Sequence, residues 1–142
     1  LISNRGSATA EATLLRGRAM TPLEAWRNQH FGQATDEYLA ADRADGDRDG
    51  NPNLIEYAFL SDPKVGDASS APIWIRGSGS YEFNFERSAL TPDVSLQAEW
   101  STSMKVDDWH LIPNAEGAPN FRFNVSVDEN PKKFFRIRAV NP

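Results

Sequence analysis

The sequence predicts an α+β protein in which a short helical segment, ending near residue 65, precedes a small antiparallel β-sandwich. Three observations carry that expectation. Between Thr21 and Leu60 the apolar residues recur at helical spacing. From Ile73 onward they alternate strictly with polar ones. The charge is also divided unevenly: residues 36–67 hold nine acidic against three basic side chains, a net of −6, while the rest of the 142 residues carry +1 of the overall −5.

The totals exclude several classes. With no cysteine there is no disulfide framework, thiol nucleophile or thiolate zinc site. An acidic chain without a polybasic patch lacks the surplus of Lys and Arg that phosphate contacts need, so no nucleic-acid partner is expected. The longest apolar run, Tyr57 to Leu60, falls far short of the roughly 18 to 20 residues that span a bilayer. No membrane span is expected either.

Residues 1–20 open the chain as a linker or extended arm. Ser3, Asn4, Gly6, Ser7 and Ala8 suit a segment leaving an upstream domain, and a short strand fits Ala12 to Leu15. Leu1, with no basic stretch and apolar core behind it, reads as the start of a mature or excised fragment.

The helical segment spans residues 21–65. Thr21-Pro22-Leu23-Glu24 has the grammar of a helix start: Thr caps, Pro is tolerated in the first turn, and Glu three residues after the cap closes a capping box. Leu23, Trp26, His30 and Phe31 share one face, and Gly32 ends the helix. A second helix is expected over Ala34 to Ala41 with Tyr38 and Leu39 facing inward. A third runs from Asn53 to about Leu60, before Ser61-Asp62-Pro63 stops it.

Residues 66–142 form the β module, with about six strands. Tyr81, Phe83 and Phe85 alternate with Glu82, Asn84 and Glu86, and Val94, Leu96, Ala98 and Trp100 make a second stripe. Phe121, Phe123, Val125 and Val127 make a third; Phe135, Ile137 and Ala139 a fourth. Ile73 to Arg76 and Trp109 to Ile112 complete the set. One apolar and one wetted face per strand is the pattern of an antiparallel sheet covered on one side. Arg122, Arg136 and Arg138 are placed to pair with Glu82, Glu86 or Glu99 across strands.

One stretch has a sharp chemical reading. Asp45-Gly46-Asp47-Arg48-Asp49-Gly50-Asn51-Pro52-Asn53-Leu54-Ile55-Glu56 matches the twelve-residue calcium loop of an EF-hand at every defining position. Asp45, Asp47 and Asp49 put carboxylates at positions 1, 3 and 5, and Gly50 supplies the sharp turn. Asn51 offers its main-chain carbonyl, Asn53 binds directly or through water, and Glu56 chelates with both oxygens. All are hard oxygen donors, which favours Ca²⁺ over zinc or copper. A bare D-x-D-x-D-G would serve equally as a solvated acidic turn; the Glu at position 12 on an exiting helix separates the two readings. Without a cation these four carboxylates repel one another, so the metal is expected to act as a folding staple.

Position 8 is Pro52, which has no N–H with which to pair to a second loop, and the chain contains no second loop. The site is therefore expected to be single and structural, with affinity near that of extracellular modules, about 10⁻⁴ to 10⁻³ M. Millimolar calcium points to a secreted or cell-surface protein.

Trp26 and Phe31, then Asp45-x-Asp47-x-Asp49-Gly50-x-x-Asn53-Leu54-x-Glu56-Tyr57-Ala58, then Asp62-Pro63, resemble the dockerin-like or thrombospondin type-3-like calcium segment found near the C-termini of large secreted bacterial proteins. Glu99-Trp100-Ser101 through Trp109, and Phe134-Phe135-Arg136-Ile137-Arg138, are similar to the short β module that follows such segments. The resemblance covers residues 22–142. It implies a non-catalytic accessory module serving attachment, assembly or secretion, whose partner is an upstream domain of the same precursor or another subunit. Dockerins carry two loops and bind a cohesin; this chain has one, so cohesin binding does not transfer.

Catalytic signatures are absent from the sequence: His30 and His110 lie in unrelated contexts, and no nucleophile elbow, zinc-protease helix or phosphate loop accompanies them. A polysaccharide partner is the alternative, since sugars stack on exposed aromatics. Trp100 continues a core stripe. Trp74 and Trp109 are the candidate ligand-binding residues, Trp109 as the better exposed of the two and Trp74 with its buried side undecided.

Overall fold

The computed structural model describes residues 14–15, 17–66, 73–127 and 132–141. Most of the linker or arm expected over 1–20 lies outside them. Its described end is a two-residue antiparallel ladder, β1 (Leu14–Leu15) with β2 (Arg18–Ala19), turning through Gly17 at φ 78°.

The first helix, α1, spans Pro22–Phe31 and starts as its sequence dictates. Thr21 Oγ1 accepts from the Glu24 N–H at 3.2 Å, and the Thr21 N–H donates to Glu24 Oε2 at 2.8 Å. Gly32, in the left-handed region, caps the end. Leu23 is buried and Trp26 packs against the core, but the helix also buries Arg27, which the apolar pattern passes over. Arg27 sits one turn after Leu23 and ion-pairs with Asp42 while Nη1 donates to the Ala34 carbonyl at 3.4 Å.

The helix expected over 34–41 does not form. Only a single 3₁₀ turn, Tyr38–Ala40, is present, and Tyr38 and Leu39 point outward at 86% and 68% exposure rather than inward. The cause is local competition for backbone groups. The Gln33 side chain takes the Glu37 carbonyl at 2.7 Å, the Asp36 carboxylate takes the Asp42 N–H at 2.6 Å, and Tyr38 adopts φ 51°. None of these is compatible with a continuing α-helix.

The second α-helix, α2, spans Asn53–Phe59, and residues 53–58 are all buried. Its first two N–H groups are satisfied from before the acidic loop: Asn53 N–H donates to the Ala44 carbonyl at 2.8 Å and Leu54 N–H to that of Asp42 at 3.1 Å. The two ends of the loop are thereby clamped together.

Six strands follow: β3 (Ile75–Arg76), β4 (Ser80–Glu86), β5 (Ser95–Ser101), β6 (His110–Ile112), β7 (Asn120–Ser126) and β8 (Phe134–Val140). They form two antiparallel three-stranded sheets, ordered β3-β4-β7 and β6-β5-β8, so the chain is a mixed α+β protein. Register places apolar residues opposite one another. Phe83 faces Phe123 and Phe85 faces Phe121 in the first sheet; Ala98 faces Ile137 and Leu96 faces Ala139 in the second. Both sheets feed one apolar cluster that also takes Leu23 from α1 and Leu54, Tyr57 and Ala58 from α2. The expected cross-strand pairs Arg122–Glu82, Arg136–Glu99 and Arg138–Glu99 are present on the wetted faces, contributing a few tenths of a kcal/mol each.

Asp93 ties the helices to the second sheet. One of its oxygens accepts from the Leu23 N–H at 3.0 Å, the other from the buried Tyr57 hydroxyl. At the β5–β6 loop Asp108 Oδ2 accepts from the Ser103, Ser101 and Thr102 hydroxyls at 2.6 to 3.0 Å, which holds its carboxyl far below the usual carboxylate range. Among the described residues no helix is long and apolar enough to cross a membrane.

Candidate metal centre

The loop between the 3₁₀ turn and α2 gathers its carboxylates by using its own amides. Asp45 Oδ2 accepts from the Gly50 N–H at 3.1 Å, Asp47 Oδ1 from the Asp49 N–H at 3.2 Å, and Asp49 Oδ1 from the Asn51 N–H at 2.8 Å. In Asp45 and Asp47 the bond engages one oxygen of the carboxylate and leaves the other unbonded. Gly50 stands at φ 97°, where a Cβ would be strained although open space surrounds it. The result is a group in which Asp45, Asp47 and Asp49 each offer an oxygen within 4.8 Å of the other two. A calcium ion with ligand oxygens 2.3 to 2.6 Å away requires those oxygens to lie within about 5 Å of one another. Among the described residues this is the group of three or more acidic or imidazole side chains that could hold a metal ion.

Asn53 and Glu56 reach the loop from α2, both 1% exposed. The Asn53 amide Nδ2 donates to the Leu39 and Ala41 carbonyls at 2.7 and 2.9 Å, which fixes the side chain and turns Oδ1 the other way. Loop residue 9 thus braces the 3₁₀ turn as well as offering an oxygen, a second task that spacing alone does not reveal. Burial, and then the nearby Asp47, Asp49 and Asp45 carboxylates, push the Glu56 carboxyl up to about 7. Desolvation first, and then its acidic neighbours, raises the Asp47 carboxyl too.

The decisive observation concerns partners. Asp45 Oδ1, Asp47 Oδ2, Asn53 Oδ1 and Glu56 Oε2 are buried acceptor atoms with no hydrogen-bond partner. They occupy loop positions 1, 3, 9 and 12. Buried acceptors are normally satisfied because each one left bare costs about 1 to 3 kcal/mol, more when charged. Four in one loop, three of them carboxylate oxygens, are acceptors that a bound cation could satisfy. Asn51 uses its side chain on Asp49 Oδ2 at 3.2 Å, which leaves its main chain as the group available to an ion.

The other residues singled out in the sequence lie elsewhere. Trp74 is half-buried, with its ring stacked on Phe135 at 4.6 Å and 5.8 Å from Phe83. Trp109 is also half-buried, with the Arg136 guanidinium over its ring at 4.0 Å. Trp100 packs at the margin of the core and stacks on His110 at 4.5 Å; His30 leans on Trp26 at 4.8 Å. Neither histidine belongs to the acidic loop's oxygen cluster.

Comparison with protein-family models, curated proteins and solved structures returned no match.

Proposed function

We propose that this chain is a non-catalytic accessory module of a secreted bacterial protein, stabilised by one Ca²⁺ in the loop Asp45–Glu56, and that it serves attachment, assembly or secretion of the protein that carries it. The observation that carries the reading is the set of four buried, partnerless acceptors at the positions where a calcium loop places its ligands. The donor set is all oxygen, which suits a hard cation. Asp45, Asp47, Asp49, Asn53 and Glu56 would hold the ion by their side chains and Asn51 by its main-chain carbonyl. What the ion supplies is charge: it would reduce the −6 of residues 36–67 to −4 and release the repulsion that otherwise opposes closure of the loop.

The role proposed for the ion is structural. Sensor calcium loops work in pairs and open a groove between helices. Here the exiting helix is buried on all sides through residues 53–58 and its Leu54, Tyr57 and Ala58 belong to the common core, so it has nowhere to swing. In the same reading the two sheets close on each other as a sandwich; Trp74 and Tyr81 at the first sheet both meet Phe135 of the second, at 4.6 and 5.0 Å.

Thermal melting with and without chelator tests the proposal. A single site saturated ten- to a hundredfold over its dissociation constant stabilises by about 1.4 to 2.7 kcal/mol. In a chain of this size that raises the melting temperature by roughly 3 to 10 °C. The wild type is expected to gain this in calcium over EDTA, and Asp47→Ala to gain nothing. Superimposable wild-type curves would overturn the structural-metal reading.

A further inference from the structure

The acidic loop is held differently on its two sides. On the exiting side α2 is buried through residues 53–58, and Leu54, Tyr57 and Ala58 belong to the common core. On the entering side none of residues 34–44 belongs to that core, and the 3₁₀ turn Tyr38–Ala40 keeps Tyr38 and Leu39 in solvent. Tyr38 stands at φ 51°, a left-handed conformation that costs free energy in a residue with a Cβ. The turn therefore depends on bonds from elsewhere to hold it.

Asn53 supplies two of those bonds. Its Nδ2 donates to the Leu39 carbonyl at 2.7 Å and to the Ala41 carbonyl at 2.9 Å, one on either side of Ala40. The same amide carries Oδ1, a buried acceptor without a partner, at loop position 9. One planar group thus has its donor end on the exposed turn and its acceptor end available to the ion. The residue is 1% exposed, so the other way to satisfy Oδ1 is to swing the side chain out toward water, which releases both carbonyls. A cation on Oδ1 removes that incentive and, by drawing electron density through the amide, strengthens the donors at Nδ2.

We propose that calcium bound in the loop sets the conformation of the exposed turn Tyr38–Ala40 through Asn53, whose amide links the ion at Oδ1 to the Leu39 and Ala41 carbonyls at Nδ2. This rests on the calcium reading above and deepens it by giving the ion a surface that it regulates. A ligand shifts a conformational equilibrium only through a contact that differs between the two states. Here that contact is the bond to Oδ1, which the ion makes only while the amide stays in its bracing position. Coupling of that kind is reciprocal: an ion that steadies the turn binds more weakly when the turn is disturbed. What the coupling presents at the surface is a pair of exposed apolar side chains, Tyr38 and Leu39.

The experiment compares the full ¹⁵N-labelled chain in saturating calcium and in EDTA. It reads amide hydrogen exchange at Ala40 and Ala41, whose N–H groups close the turn on the Glu37 and Tyr38 carbonyls at 3.0 and 3.3 Å. Calcium is expected to slow exchange at both by about tenfold. Asn53→Asp keeps an oxygen at loop position 9 but has no amide donor; calcium should still shift Gly50 and Asn51 in it, while the slowing at Ala40 and Ala41 falls below about twofold. The reverse arm disturbs the turn from its exposed side. Tyr38→Pro forbids φ 51° yet suits Glu37, already extended at φ −140° and ψ 149°, and should raise the calcium dissociation constant about tenfold. Tyr38→Gly, which adopts that φ freely, should leave the constant no higher than in the wild type. Three results would overturn the coupling and leave the metal reading standing: calcium shifts at Gly50 and Asn51 with unchanged exchange at Ala40 and Ala41, full slowing retained in Asn53→Asp, or an unaltered constant in Tyr38→Pro. Wild-type Gly50 and Asn51 that do not respond to calcium would overturn both. If Asn53→Asp loses calcium binding, the Tyr38 pair decides alone.

Discussion

The two halves of the molecule satisfy their buried polar groups in different ways. Among the described residues, the β module leaves no buried side-chain nitrogen or oxygen without a partner, whereas the helical segment leaves five: Arg27 Nε and the four acceptors of the acidic loop. The β module closes through cross-strand register and apolar faces that need nothing from outside. The helical segment shares the same core yet encloses a knot of acceptors that its own donors do not reach. In the proposed reading such a region is folded by its neighbours on one side and by a bound ion on the other, and the loop is then expected to be the weak point of an otherwise self-sufficient fold.

The largest effect is expected where the halves meet. Phe123, 1% exposed on β7, belongs to the cluster that also holds Leu23 and Tyr57. Phe123→Ala should cost about 3 to 5 kcal/mol and shift one cooperative urea transition, read alike by near- and far-ultraviolet circular dichroism. Two separated transitions would show that the helical segment does not depend on the β core. A smaller effect is expected at the link between them: Tyr57→Phe removes the hydroxyl held by Asp93, leaving that carboxylate oxygen short of a donor, at about 1 to 2 kcal/mol. A loss indistinguishable from zero would mean that the bond is replaced by water.

The smallest effects sit at the start of α1. Thr21→Ala should cost about 1 kcal/mol by removing the cap. The Arg18 guanidinium, bound to both Glu24 oxygens at 2.8 and 2.6 Å, holds the Glu24 carboxyl down to about 2. Because the folded value lies below the unfolded one, its stabilisation is fully present above about pH 4.5 and is lost as pH falls toward 2. Glu24→Gln should flatten that part of the stability profile, measured by denaturant titration at successive pH values. An unchanged slope would remove Glu24 from the acid response.

How legible each region was in the sequence follows the same division. Alternation placed the strands of the β module to within a residue or two because a half-buried strand has a single choice of face, as Phe121, Phe123 and Val125 show. The capping box and Gly32 fixed both ends of α1. The segment 34–41 was misread because Ala and Glu content reports helix propensity, while the outcome was decided by the Gln33 and Asp36 side chains capturing backbone groups. Arg27 escaped because a buried cation carries no apolar signal; its one clue is the i to i+4 spacing from Leu23. The loop's ligand positions could be read from spacing, but the brace from Asn53 to Leu39 and Ala41 could not, since it joins residues 12 and 14 apart through carbonyls that every residue possesses.

The central claim is that one calcium ion occupies the acceptor cluster of the acidic loop. The direct measurement is a calcium titration followed through the amide resonances of Gly50 and Asn51, whose N–H groups hold Asp45 and Asp49. The expected result is saturable binding of one ion per chain with a dissociation constant of about 10⁻⁴ to 10⁻³ M, lost in Glu56→Gln. Resonances unmoved at tens of millimolar calcium, or binding that survives Glu56→Gln unchanged, would contradict it.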